Sequence, residues 1–289
     1  MTSDIVKFIQ ENLIRITNHY VSKSYIEKSI IPLIKFINNN KSNRFLLAGS
    51  QGIGKTTLLQ IIEKVFQKYF DKKILSLSLD DFYLDKKERI KLSHSKHPLL
   101  ITRGVPGTHD IYCLKKIINE FNKSHYPIKI PKFEKLSDSR KKTKKIIKKK
   151  CDILILEGWC VGCPPIDQSY LYSNFNKLEK KFDADKKWRN FYNNNLKHRY
   201  ANLFRGFNSI IYLKPISFTY ILKWRIKQEN YLKKLNKNKS FKGMSNIDIK
   251  NFIQHYEKIT KWMMKIMPRK ANMTLFINQN QKIKRMRKN

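Results

Sequence analysis

Phe45-Leu46-Leu47-Ala48-Gly49-Ser50-Gln51-Gly52-Ile53-Gly54-Lys55-Thr56 joins an apolar run to an octapeptide of the form GxxxxGK[ST], and a helix-like Leu58-Leu59-Gln60-Ile61-Ile62 follows at once. Strand, glycine-rich turn and helix in this order make a phosphate-binding loop. The glycines let the backbone fold tightly enough to aim several N–H groups at one anion, and the helix adds the positive end of its dipole. Residues Gly49, Ser50, Gln51, Gly52, Ile53, Gly54, Lys55, Thr56 and Thr57 are therefore expected to hold the phosphates of a nucleoside triphosphate. Lys55 would reach the β- and γ-phosphates, and the Thr56 hydroxyl would face Mg²⁺.

Working outward, residues 4 to 40 carry apolar residues at helical spacing: Ile5, Phe8, Ile9 and Leu13, then Ile30, Ile31, Leu33, Ile34 and Ile37. Two helices are expected before the first core strand, as an extension over residues 1 to 40 packed on a phosphate-loop domain of residues 41 to 289. Beyond the loop, Ile74 to Leu79 alternates and ends at Asp80-Asp81-Phe82-Tyr83, a second strand with two acids at its tip. Open α/β sheets bind ligands at the carboxyl ends of their strands, which is where these acids fall.

The Gly/Pro-punctuated Arg103-Gly104-Val105-Pro106-Gly107-Thr108-His109-Asp110 leads into a helix over Ile111 to Phe121. A short extended piece, Ile128 to Phe133, precedes the dense basic run Arg140 to Lys150, read as a solvated helix face or loop. Asp152 to Gly158 is continuously apolar up to Glu157, as a parallel strand covered on both faces would be. An acid ending such a strand suits Mg²⁺, held through water.

Residues 166 to 205 are polar and rich in aromatics, and read as a helical insertion at the strand tips rather than as core. Ser209 to Leu213 is a fourth strand. A basic helix with a lid character is expected over about residues 216 to 240, then a helix from Asn246 to Met267 ending at Pro268, and a last strand, Met273 to Ile277, before a basic tail. Strands alternating with helices behind a phosphate loop specify an α/β protein: a three-layer α/β/α fold with a mainly parallel sheet.

The chain has 289 residues, 41% of them hydrophobic, enough for a substantial core. Its 61 Lys and Arg against 22 Asp and Glu give a formal charge of +39. The excess is mostly Lys spread along the whole chain among many Asn and Ile, so compositional drift explains it better than a nucleic-acid site, which concentrates charge on one face. No apolar run is long enough to span a bilayer and no leader pattern is evident, so a cytoplasmic protein without a membrane partner is expected. The Cys160-Val161-Gly162-Cys163 pair lacks the partners that a zinc site needs, and His94 and His97 lack a neighbouring helical Glu; neither pair is assigned a metal.

Taken in order, the loop Gly49 to Thr56, Asp80-Asp81-Phe82-Tyr83, Arg103 to Asp110, Leu156-Glu157-Gly158-Trp159, Trp224-Arg225 with Gln228-Glu229, and Gly243-Met244-Ser245 resemble the D-glycerate 3-kinases. That family is similar to uridine kinase, phosphoribulokinase and bacterial-type pantothenate kinase, and the resemblance covers about residues 40 to 277. It implies transfer of the ATP γ-phosphate to D-glycerate in the presence of Mg²⁺. It also implies Asp80 as the base for the acceptor hydroxyl, with Asp81 as a competing candidate, and Lys55 and Arg225 around the transferring phosphoryl, Arg225 from a lid. Thr56 and Glu157 would serve the metal. Tyr83, Arg103, Thr108, His109 and Asp110, together with Asp80, would bind the acceptor. Two other functions fit the motifs: a kinase of the same fold for another hydroxylated metabolite or a nucleoside, and a P-loop ATPase that uses its basic surface on nucleic acid.

Overall fold

A computed structural model describes residues 2–173, 175–235 and 243–289. In chain order, α1 is Thr2–Thr17, and α2 is a continuous helical stretch made of Lys23–Tyr25, the π-turn Ile26–Ile30 and Ile31–Asn38. Strand β1 (Arg44–Gly49) enters the phosphate loop and α3 (Lys55–Tyr69) leaves it. Then follow β2 (Ile74–Ser78), a 3-10 turn Leu79–Phe82, α4 (Lys86–Ser95), α5 (Ile111–Asn122), and four short strands: β3 (Ile128–Ile130), β4 (Phe133–Glu134), β5 (Ser139–Arg140) and β6 (Lys145–Ile147). Strand β7 (Ile153–Gly158) returns to the main sheet. Helices α6 (Gln168–Tyr172) and α7 (Lys177–Phe182) lead to α8, built from Lys187–Asn195, the π-turn Leu196–Tyr200 and Ala201–Phe204. The chain then runs through β8 (Ser209–Pro215), α9 (Phe218–Leu235), α10 (Asn246–Lys270), β9 (Met273–Ile277) and β10 (Ile283–Lys288).

The main sheet has the order β10-β9-β8-β1-β7-β2. All pairings are parallel except β10 on β9. Leu46 in β1 pairs with Leu156 on one side and Ile210 on the other, so the strand that carries the phosphate loop lies in the middle. Side chains two apart face the same way. Phe45, Leu47, Ile155, Ile211 and Leu213 accordingly join one buried cluster with α1, α2 and α3, while Leu46, Ala48, Leu75, Leu77, Leu154 and Leu156 join another with α5, α8 and α10. Helices on both faces of a parallel sheet give the three layers expected from the sequence. Burying a side chain such as Phe45 or Leu46 contributes about 1.5–3 kcal/mol. Helix α1 is anchored on α3, where Lys64 donates to Asn12 at 2.8 Å and the Tyr69 hydroxyl donates to the Asp4 carbonyl at 3.2 Å.

Four expectations need correction. The described residues between 166 and 205 are largely helical, but one face of them is core: Trp188, Tyr192, Leu196 and Tyr200 line up four residues apart and are all but inaccessible. Asn190, Asn194 and Lys197 between them are exposed, and such polar residues hide the apolar stripe. Helix α10 runs past Pro268 to Lys270. Proline removes one helical N–H, which is tolerable in a last turn where Asn289 donates its side-chain amide to the carbonyls of Pro268 and Ala271 at 3.0 and 2.7 Å. The basic tail is strand β10, whose Lys and Arg line the sheet edge and discourage further strand pairing. The run Arg140 to Lys150 is also partly extended, with β5 pairing with β4 and β6 with β3. Of the expected lid over 216 to 240, residues 236 to 240 lie outside the described residues. Among the described residues no helix is long and apolar enough to cross a membrane.

Candidate active site

The phosphate loop turns where glycine allows it: Gly52 and Gly54 have φ of 70° and 103°. Gly49 is needed for a different reason, since a Cβ there would come within 2.9 Å of the Leu213 Cβ on the neighbouring strand. Ile53 is buried and pins the loop to the core. The Lys55 ammonium folds back to donate to the carbonyls of Gly49 and Ser50 at 2.8 and 3.1 Å, and lies 3.9 Å from Glu157 Oε2. Burial pushes the Lys55 pKa down, opposed by the charges of Glu157 and Asp80. Thr56, next in the helix, is exposed. The Ser50 hydroxyl and the Gln51 amide oxygen are buried without a hydrogen-bond partner among the described residues.

Beside the loop, Glu157 is the penultimate residue of β7, and Asp80 lies two residues beyond the end of β2. Ser78 donates to Glu157 Oε1 at 2.6 Å. Burial raises the Glu157 pKa and Lys55 pulls it back. Asp80 accepts from the Tyr83 hydroxyl at 2.7 Å and from Lys135 Nζ at 2.6 Å. Burial would lift the Asp80 pKa, but the Lys135 ammonium foremost, with both hydrogen bonds and Lys55, holds it well below the usual carboxylate range. Asp80 is thus a carboxylate at neutral pH, and an ordered one. Asp81 turns the other way, to Lys132 at 2.5 Å and the Phe133 N–H at 3.3 Å. The sequence reading did not anticipate Lys132 and Lys135, whose hairpin, β4 and β5, lies over the acidic turn.

The residues expected to bind an acceptor are only partly together. Tyr83 and His109 pair across a β-bridge and stack with ring centroids 4.7 Å apart. Arg103 reaches the same region but pairs with Asp138, which also accepts from Arg89 at 2.6 Å, and its guanidinium lies 5.6 Å from the centre of the Phe133 ring. Thr108 is fully buried, its hydroxyl donating to the Val105 carbonyl at 2.8 Å and accepting from the Gly104 N–H at 2.9 Å. That hydroxyl closes its own loop. Asp110 caps α5 by accepting from the Cys113 N–H at 2.9 Å, and its other oxygen faces Arg140 at 3.3 Å. Thr108 and Asp110 shape the loop; the side chains gathered around Asp80 are Tyr83, His109, Arg103 and Lys135.

On the opposite side of the phosphate loop, a Cβ on Gly52 would lie 3.1 Å from the Trp224 Cβ and 3.7 Å from the Arg225 nitrogen, so α9 abuts the loop. Arg225 forms an ion pair with Glu229 at 2.7 Å, and Glu229 also accepts from the Met244 N–H at 2.9 Å. Trp224 donates to the Gln279 carbonyl at 2.9 Å and Gln281 donates to the Gly52 carbonyl. The turn between β9 and β10 therefore braces the loop, an arrangement that no local pattern announced. Cys160 and Cys163 are buried thiols whose pKa values burial drives upward.

The "Probable ATP-dependent kinase TDA10" of Saccharomyces cerevisiae is 31% identical over 254 residues, covering 81% of this chain and 84% of that protein. This chain belongs to the same family of ATP-dependent P-loop kinases. A further relative of the kinase family, the "Uncharacterized kinase mug58" of Schizosaccharomyces pombe, is 28% identical over 253 residues, with 81% and 87% of the two chains covered. Among solved structures, D-glycerate 3-kinase from Cryptococcus neoformans superposes with a TM-score of 0.72 over 100% of this chain and 99% of that one, at 21% identity, which shows a shared fold. No family model matches the chain.

Proposed function

We propose that this P-loop kinase transfers the ATP γ-phosphate to D-glycerate, giving 3-phosphoglycerate. The observation that carries the reading is an ordered, ionised carboxylate, Asp80, set beside Lys55 of the phosphate loop and paired with Lys135. In the reaction the acceptor hydroxyl oxygen forms a bond to the γ-phosphorus. The bond from that phosphorus to the β,γ-bridging oxygen breaks, ADP leaves with the electron pair, and the hydroxyl proton passes to Asp80. A loose phosphoryl-transfer transition state calls for late proton removal, so an oriented carboxylate of low basicity is adequate. Tyr83 and Lys135 supply that orientation. Lys55 and Arg225 would carry the charge of the phosphoryl group, Arg225 after exchanging Glu229 for phosphate.

Thr56 and Glu157 fit Mg²⁺. Both offer hard oxygen ligands, and a buried carboxylate whose partners among the described residues are Ser78 and a distant ammonium has capacity for a hydrated cation. Bound there, the ion would neutralise charge on the β- and γ-phosphates.

A small anionic acceptor is favoured over a nucleoside because the aromatic faces near Asp80 are engaged: Tyr83 stacks on His109, and Phe133 lies edge-on to Tyr83 beneath Arg103. Arg103 would exchange Asp138 for the acceptor carboxylate, which offers the same two-oxygen geometry. The Cryptococcus protein of the same fold is named for such an acceptor. ADP release by purified protein with D-glycerate, uridine, pantothenate, ribulose 5-phosphate or nucleic acid tests this. Release with D-glycerate above the others is expected; preference for uridine, or ATP hydrolysis stimulated only by nucleic acid, would replace the reading.

A further inference from the structure

Tyr200, in the π-turn of α8, is completely buried, and its phenol oxygen meets two groups of the acceptor loop. The Gly107 N–H donates to it at 3.1 Å, and His109 Nδ1 lies 2.6 Å away. With burial keeping the phenol protonated and its oxygen accepting from the Gly107 N–H, donation of the O–H into Nδ1 is the arrangement that gives the phenol proton an acceptor. Nδ1 is then the imidazole acceptor, and the ring proton sits on Nε2.

Among the described residues that Nε2–H has no partner, although His109 is only 3% exposed. Leaving a buried donor unpaired costs about 1–3 kcal/mol, so folded proteins rarely retain one without a use. The ring bearing it stacks on Tyr83, whose hydroxyl holds Asp80. Burial drives the His109 pKa down to about 4, with the Asp80 charge opposing, so the ring is neutral at physiological pH.

We infer that Tyr200 is a positioning residue that locks His109 into one neutral tautomer, with Nε2–H as a fixed donor to an oxygen of the phosphate acceptor. This rests on the kinase reading of the site and adds a specificity element to it. A donor that carries no charge orients the acceptor oxygen without competing with Lys135 for Asp80. It also selects against acceptors that would present a hydrogen-bond donor at that point, because Nε2–H cannot accept.

The tautomer is read directly by NMR of protein labelled with ¹⁵N-histidine, the His109 signals being assigned by their loss in His109→Gln. The expected result for the wild type is a single neutral Nε2–H form. Tyr200→Phe should abolish that fixed pattern and raise the acceptor KM by about tenfold, the worth of one hydrogen bond, with kcat and the KM for ATP nearly unchanged. An Nδ1–H form or a tautomer mixture in the wild type would overturn the inference, and needs no variant to fold. So would a Tyr200→Phe protein with normal KM for ATP and an unchanged acceptor KM. The acceptor used is whichever one the ADP-release screen selects; failure of D-glycerate in that screen counts against the substrate assignment, while the tautomer and the KM split still decide the role of Tyr200.

Discussion

The two ends of the proposed active site are built by opposite means. At the nucleotide end, nine consecutive residues from Gly49 to Thr57 present backbone N–H groups and one lysine, and the lysine is steadied by carbonyls of its own loop. At the acceptor end no stretch is sufficient: Asp80 comes from the turn after β2, Lys135 from a hairpin 55 residues later, His109 from a third segment and Tyr200 from a fourth. The first end works through main-chain geometry and tolerates little variation. The second works through side-chain charge, each carboxylate held by a cation: Asp80 by Lys135, Asp81 by Lys132, Asp138 by Arg89 and Arg103. Exchange of ion-pair partners is therefore the natural way to change the acceptor without disturbing ATP.

The hardest test of this contrast is Lys55→Ala. Transfer should fall below detection in a protein whose circular dichroism and melting stay close to wild type, since the charge is needed when phosphates are present. A folded variant with substantial turnover would end the phosphate-loop assignment. At the other end, Asp80→Asn should lower kcat by roughly 10²- to 10⁴-fold with the KM for ATP nearly unchanged, and Asp81→Asn far less. Equal losses would mean that the two acids share a structural task; a larger loss at Asp81 would move the base there.

Glu157→Gln should raise the Mg²⁺ concentration needed for half-maximal activity by about tenfold or more while altering the acceptor KM little, placing Glu157 with the nucleotide end. An unchanged metal titration would return it to a purely structural role. The smallest effect at pH 7, less than about tenfold, belongs to Lys135→Met, because a partly exposed ion pair is worth little. Its signature is in pH. Asp80 must be ionised to accept a proton, and Lys135 is the foremost group holding its pKa down against burial, so without the ammonium that pKa rises. The acid limb of kcat/KM should then move to higher pH, whereas a static limb would detach Lys135 from Asp80.

The contrast also explains what could be read from residue order alone. The phosphate loop was legible because its chemistry is contiguous and its glycines answer to local backbone geometry. Asp80 and Glu157 were legible because a parallel sheet delivers strand ends to one edge. Lys135 was hidden among 61 basic residues with nothing local to single it out, and its importance comes from folding onto Asp80. Thr108 and Asp110 were expected at the site from the family resemblance, and in the structure their polar atoms go to loop closure and helix capping. Tyr200 belongs to an i, i+4 apolar stripe running from Trp188 that the polar residues between its members obscure. Its hydroxyl acquires meaning only beside His109.

The central place of β1 has a consequence for the order in which this protein comes into being. The strand carrying the phosphate loop is synthesised early, but Leu46 finds its partners only when Leu156 and then Ile210 have left the ribosome, and the Gln281 brace on Gly52 arrives later still. Contacts so distant along the chain must repay the entropy of closing long loops before they stabilise anything. Until then this apolar strand has no neighbours in the sheet, and the nascent chain has the strongest need of protection from aggregation while its ATP site is still unassembled.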